Sequence, residues 1–286
     1  VEVVVVTILN GPTGTELIRR GFSLEGEAWS ARAVEQAPDL LASIHADYAR
    51  AGATVHTACT FRTQPRLFPD RFGALTSRAV ELCRRAVPAG HLVAGSLAPI
   101  MDCYEPGAAP PDGVARDAHA RMAGALADAG VDLIVCETFP STREGLIACE
   151  AAIASGKPVW LSLTGGPEGT LMSPAELAFA GRAAAELGAS AVLVNCVAAE
   201  RSFDYVLALS QALAGAGYGR RVRVGVFANA GPAQAALGWD HQTPEAASRY
   251  ANLAGLWVQA GASIVGSCCG TGPAHTRALA QALAGV

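Results

Sequence analysis

The chain has 286 residues, with 21 Lys plus Arg against 25 Asp plus Glu, a formal charge of −4. Hydrophobic residues make up 51% and charged residues 16%, enough apolar surface for one large core and too much for a disordered chain. The mildly acidic balance argues against a nucleic-acid partner, and no apolar run reaches the ~18 residues of a membrane span.

Residues 3–9 read as a first buried strand; they carry no basic flank or cleavage pattern, so a signal peptide is not expected. A helix is expected over 38–51. A pattern then appears that occurs four times in the chain: small helix-end residues, a glycine, and a short apolar run. The glycines are Gly52, Gly130, Gly188 and Gly261. Each reads as a left-handed helix end feeding a buried strand, here over 53–57, 131–136, 189–195 and 262–266. Between them lie three further apolar runs, 92–97, 159–163 and 222–227, of the kind that parallel strands buried on both faces present. Helical periodicity covers 74–86, 114–129, 142–154, 174–187, 200–213, 244–260 and 274–283. Ser173-Pro174 and Thr243-Pro244 are cap residues followed by proline at the first helical position.

Eight strands alternating with eight helical segments predict a single (β/α)8 barrel over residues 1–286. No Gly-x-Gly-x-x-Gly follows the first strand, which weighs against an open dinucleotide-binding sheet. Residues 101–112 (MDCYEPGAAPPD) form a Pro/Gly-rich segment after the third strand, expected to be an active-site loop because the barrel resumes beyond it.

The eight cysteines read as reduced thiols of a cytoplasmic enzyme, since the chain is too long and core-rich for a secreted disulfide scaffold. In this fold the chemistry sits at the C-terminal ends of the strands. Reading those ends brings Asn10, Ser96, Glu137, Asn195-Cys196, Asn229 and Cys268-Cys269 to one mouth. Three thiols there suit a Zn2+ with one open position, or three small core residues.

Several motifs, in order, carry a resemblance: Ile8-Leu9-Asn10-Gly11-Pro12-Thr13-Gly14-Thr15-Glu16-Leu17, Trp29-Ser30-Ala31, Gly95-Ser96-Leu97-Ala98-Pro99, Glu137-Thr138-Phe139, Val194-Asn195-Cys196 and Gly266-Ser267-Cys268-Cys269-Gly270. The chain resembles the homocysteine S-methyltransferase family, zinc-dependent barrels that move a methyl group onto the homocysteine thiol. The late Cys-Cys-Gly with an upstream Asn-Cys is the specific part of the match. The resemblance implies that Cys196, Cys268 and Cys269 are zinc ligands and carry the catalysis. It implies Asn229 as an oxygen ligand that substrate displaces, although a turn asparagine before glycine is equally consistent with the residues. It assigns the substrate amino group to Glu137, whose alternative is an internal ion pair with an arginine.

Gly11 and Thr13 lie in a turn able to present N–H groups to a carboxylate. Ser96 joins the expected substrate contacts. Trp29 resembles a donor-recognition tryptophan whose indole face would meet an onium methyl group; a core position is its alternative. Trp160, Trp239 and Trp257 read as packing residues, and the six histidines as ordinary polar residues without ligand spacing. Asn10 departs from the family, which carries Asp there; the carbonyl oxygen is kept and the charge lost. The segment Gly270-Thr271-Gly272-Pro273 keeps a phosphate-substrate enzyme as a weak rival.

Folate- and cobalamin-using relatives carry further domains, and the betaine-using branch a C-terminal extension. Their absence from this sequence points to the S-methylmethionine or S-adenosylmethionine branch. A separate corrinoid protein stays open as a partner. The rivals to a homocysteine methyltransferase are a zinc-binding pseudoenzyme or thiol sensor, and a methyltransferase for another thiol or selenol.

Overall fold

In the computed structural model, residues 5–231 and 243–285 are described. Trp239 and His241, read above as packing and polar residues, lie outside them. Eight parallel strands form one sheet in the order β1-β8-β7-β6-β5-β4-β3-β2. They are β1 Thr7–Ile8, β2 Val55–Thr57, β3 Leu92–Leu97, β4 Leu133–Phe139, β5 Val159–Leu163, β6 Ala191–Ala198, β7 Arg223–Asn229 and β8 Ala262–Ser267. A parallel bridge between Leu9 and Val55 joins the two ends of the sheet, with Thr54 N–H donating to Ile8 O and Asn10 N–H to Val55 O, both at 2.9 Å. The predicted (β/α)8 barrel is therefore present.

The helices are α1 Thr13–Arg19, α2 Ala33–Gln36, α3 Pro38–Arg50, α4 Phe72–Ala86, α5 Asp112–Asp128, α6 Thr142–Ala154, α7 Pro174–Leu187, α8 Ser202–Gly215, α9 Pro244–Gln259 and α10 Pro273–Ala282. The eight expected helices all form. Their punctuation works as read: Ser173 closes a capping box with Glu176, Thr243 accepts from Ala246 N–H, and Gly52, Gly130, Gly188 and Gly261 all have positive φ. Three elements before α3 were not expected: short α1, which begins inside the turn read at 11–14, and a 3-10 turn over Trp29–Arg32 that runs into α2.

Two apolar layers result. Inside the barrel, Leu9, Val135, Trp160, Leu193, Phe227 and Ile264 pack together, and Cys268 lies against them. Outside, a larger layer seals the strands against the helices. Trp160 and Trp257 are thus core residues, as read. The histidines differ from their reading: His45, His56, His119 and His275 are buried. His119 faces Glu144 at 3.1 Å between α5 and α6, and His275 accepts from Gly272 N–H at the start of α10.

Candidate active site

A cavity of about 790 Å3 opens at the C-terminal ends of the strands. Its walls include Asn10, Gly11, Thr13, Trp29, Ser96, Glu137, Cys196, Cys268 and Cys269. Every expected site residue except Asn229 therefore borders one space.

The thiols come from β6 and from the turn after β8. Cys196 and Cys268 sulfurs stand 2.8 Å apart, Cys268 and Cys269 sulfurs 3.9 Å, and all three fall within 4.8 Å. These spacings bracket the ~3.8 Å edge of a tetrahedron built from metal–sulfur bonds of about 2.3 Å. The Cys-Cys turn is held from several directions. Cys268 N–H donates to Ala228 O, Ala230 N–H to Cys269 O, and the Thr271 hydroxyl to Cys268 O. Hydrogen bonds from Cys196 and Cys268 hold the Cys269 thiol well below its ordinary range. Hydrogen bonding to Cys196 and Cys269 keeps the Cys268 thiol well above it. A divalent cation is what lets three crowded, buried thiols lose their protons together.

Asn229 ends β7 fully buried, and neither atom of its amide has a hydrogen-bond partner among the described residues. A buried amide left so costs free energy unless a ligand satisfies it. The donor set and this orphaned oxygen both fit a thiolate-held metal. Asn229 does not border the cavity itself.

Strand ends aim these groups. The register of β4 against β5 breaks between Cys136 and Phe139, and that of β6 against β7 between Asn195 and Ala198. Thr138 and Cys196, inside those two irregularities, both adopt positive φ, 63° and 54°. Bulges of this kind turn side chains that would otherwise alternate in and out of the barrel. Glu137 is presented at the first of them. It accepts from the Ser96 hydroxyl, and the Thr60 hydroxyl fixes Ser96 in turn through its N–H and C=O, both at 2.8 Å. No arginine pairs with Glu137 among the described residues. Burial pushes its carboxyl up to about 7, the Ser96 bond opposes the shift, and charge at Cys269 adds to it.

The opposite wall follows β1, β2 and β3. Gly11 packs so close to Tyr48 that a Cβ would meet the ring at 2.6 Å, which is why the turn after β1 needs glycine there. Both polar atoms of the Asn10 side chain have partners. Its Oδ1 accepts from Thr57 N–H at 2.9 Å and from the Thr57 hydroxyl at 3.1 Å, and its Nδ2 donates to Gly11 O at 3.1 Å. Trp29 is 37% exposed with φ 46°. Its ring lies 6.0 Å from that of Phe61, inclined at 59°, so it lines the cavity rather than the core.

The loop over 101–112 brings Cys103 and Tyr104 to the cavity, where they line the same space as the thiols. Burial, with the thiols nearby, pushes the Tyr104 phenol well up. Tyr104 and Phe61 are the contributors that the residue-by-residue reading passed over; Thr138 and Asn195 stand in the quoted motifs but carry no role of their own in that reading. The loop itself is legible, but which of its residues turns inward has no local signal.

A parallel barrel whose mouth gathers three cysteine thiols, a half-buried carboxyl and an aromatic pair defines the class: a (β/α)8 enzyme with a cluster of three thiols at its active-site end. The homocysteine S-methyltransferase family profile matches residues 7–283, and the chain belongs to that family. It is 30% identical to the homocysteine S-methyltransferase of Escherichia coli (strain K12), with 96% of this chain and 94% of that one aligned. It is 27% identical to the S-methylmethionine–homocysteine S-methyltransferase of Pongo abelii over 98% of this chain and 78% of that one. The metallated form of the homocysteine methyltransferase MmuM from Escherichia coli superposes with a TM-score of 0.79 at 27% identity, covering 96% of both chains.

Proposed function

We propose that the chain moves a methyl group from a sulfonium donor, S-methylmethionine or S-adenosylmethionine, to the thiol of homocysteine, giving methionine, with Zn2+ held by Cys196, Cys268 and Cys269. The observation that carries this reading is the convergence of the three thiols in the cavity. The name of the Pongo abelii relative supports S-methylmethionine as donor.

Zn2+ held by these thiolates would lower the pKa of an incoming thiol, so that it loses its proton to solvent at neutral pH. Three cysteinates bring the metal site to a charge of about −1, so substrate sulfur stays electron-rich. Asn229 is the oxygen donor for the position that substrate takes. Glu137 receives the substrate ammonium, oriented by Ser96. Gly11 and Thr13 face the carboxylate end. Trp29 and Phe61 present ring faces and edges to the sulfonium, whose positive charge a π-system attracts. The donor's cation and the acceptor's thiolate neutralise each other as the methyl passes between them, so a weakly polar cavity favours the step.

The test is metal analysis of the reduced protein together with methyl transfer from a panel of sulfonium donors to homocysteine. One zinc per chain and methionine formation are expected. Transfer to another thiol or selenol but not to homocysteine would move the acceptor assignment. Zinc without any transfer would leave a thiol-binding protein.

A further inference from the structure

Asn195 is completely buried, and its side chain uses all of its hydrogen-bonding capacity. Oδ1 accepts from Thr138 N–H at 3.1 Å and from the Ser162 hydroxyl at 2.7 Å. Nδ2 donates to the Thr138 hydroxyl at 2.7 Å and to the Cys196 sulfur at 3.3 Å. The amide has only one workable orientation. A backbone N–H can only donate, so Oδ1 must face Thr138 and the amino group must face sulfur. Asn195 therefore ties together both strand irregularities, since its partners Thr138 and Cys196 are the two positive-φ residues at the ends of β4 and β6.

This contact bears on a problem that any site of this kind has. Three protein thiolates lie beside an electrophilic methyl donor, and only the substrate sulfur should take the methyl. Attack by Cys196 would form a C–S bond at its sulfur, expel the donor's sulfide as a neutral leaving group, and leave a thioether. A thioether is a weak acceptor, so the N–H···S bond present in the thiolate is lost along that path. The bond therefore stabilises the starting thiolate more than the alkylated product. Among the described residues, the Cys268 sulfur is hydrogen-bonded only to the other two thiols.

We infer that Asn195 is a positioning residue that aims Cys196 and, through its N–H···S bond, lowers the nucleophilicity of that sulfur so that the protein does not methylate itself. The inference rests on the zinc–thiolate reading above. Hydrogen bonds to charged groups are strong enough to change a rate by about tenfold.

The experiment compares wild type, Asn195→Asp and Ser162→Ala, each zinc-loaded and metal-free, during timed iodoacetamide treatment. Iodoacetamide forms a C–S bond at the attacking sulfur and releases iodide. Peptide mass spectrometry reads alkylation of Cys196 relative to Cys268 within the same sample. Asn195→Asp keeps both acceptor contacts and removes the N–H donors. It should raise the Cys196:Cys268 ratio about tenfold and shift the thiolate-to-metal charge-transfer band of the cobalt-substituted protein. Ser162→Ala should lower Tm and leave ratio and band unchanged, because it weakens the network without touching the N–H···S bond. Because the ratio is read with and without metal, a variant that binds metal poorly still reports. An unchanged ratio in Asn195→Asp, or an equal rise in Ser162→Ala, overturns the inference while leaving the zinc site standing. A wild type that takes up no metal removes both.

Discussion

The two walls of the cavity are built differently. The thiol wall hangs on the ends of β4, β6 and β8, where Asn195, Thr138 and Cys196 are buried in a closed hydrogen-bond network. The facing wall is made of connections: the turn after β1, the 3-10 turn carrying half-exposed Trp29, and the loop that delivers Tyr104. Atoms that must meet a metal within tenths of an ångström are placed by strands that cannot move without disturbing the barrel. Groups that recognise the variable part of a ligand sit on loops, which change without cost to the core. Substitution of the thiols on the first wall should therefore abolish chemistry, and changes to the groups on either wall that meet the rest of a ligand should retune affinity.

The largest effects belong to the thiols. Cys196→Ala, Cys268→Ala and Cys269→Ala should each lose zinc and methyl transfer while circular dichroism still reports the barrel. Full zinc retention in all three would break the comparison at its strongest point.

Glu137→Gln should come next, raising the homocysteine KM by roughly 10- to 100-fold, the scale of a lost hydrogen bond between charged groups. The pH dependence gives a sharper version. With the carboxyl pushed up to about 7, ammonium binding should strengthen as pH rises from 6 to 8, and the variant should show a flat profile over that range. The sign for stability is opposite. Glu137 binds more protons folded than unfolded between about 4.5 and 7, so its contribution to the free protein's stability falls as pH rises through that window.

On the facing wall, Trp29→Leu should raise the donor KM by about 0.5–2 kcal/mol in binding terms, the range of a cation–π contact, and leave homocysteine binding alone. An unchanged donor KM with a lowered Tm would assign Trp29 to packing instead.

The smallest effect is expected at Asn10. An aspartate would keep the two bonds from Thr57 but set its second oxygen against the Gly11 carbonyl, now 3.1 Å from Nδ2. Only an ammonium nearby would offset that repulsion. Asn10→Asp should therefore tighten homocysteine by about 0.5–1 kcal/mol, less than a free carboxylate would, and do nothing for a thiol without an amino group. Affinity measured for both thiols with both variants decides it.

The amino-acid sequence by itself determined the barrel, because its signals are local. Short apolar runs, left-handed glycines such as Gly188 and the Ser173-Pro174 cap each report the state of a few neighbouring residues. It also placed Asn195-Cys196 and Cys268-Cys269 at strand ends facing one mouth, where the three thiols do converge. Only the tertiary structure decided that Asn195 bridges to Thr138, 57 positions away, that Cys103 and Tyr104 are the residues of their loop that border the cavity, and that Asn10 spends its amide on Thr57 and Gly11. It also decided that the turn read at 11–14 leads directly into a helix, α1, over Thr13–Arg19. These contacts depend on which side chains the closed barrel brings face to face, and no spacing along the chain encodes them.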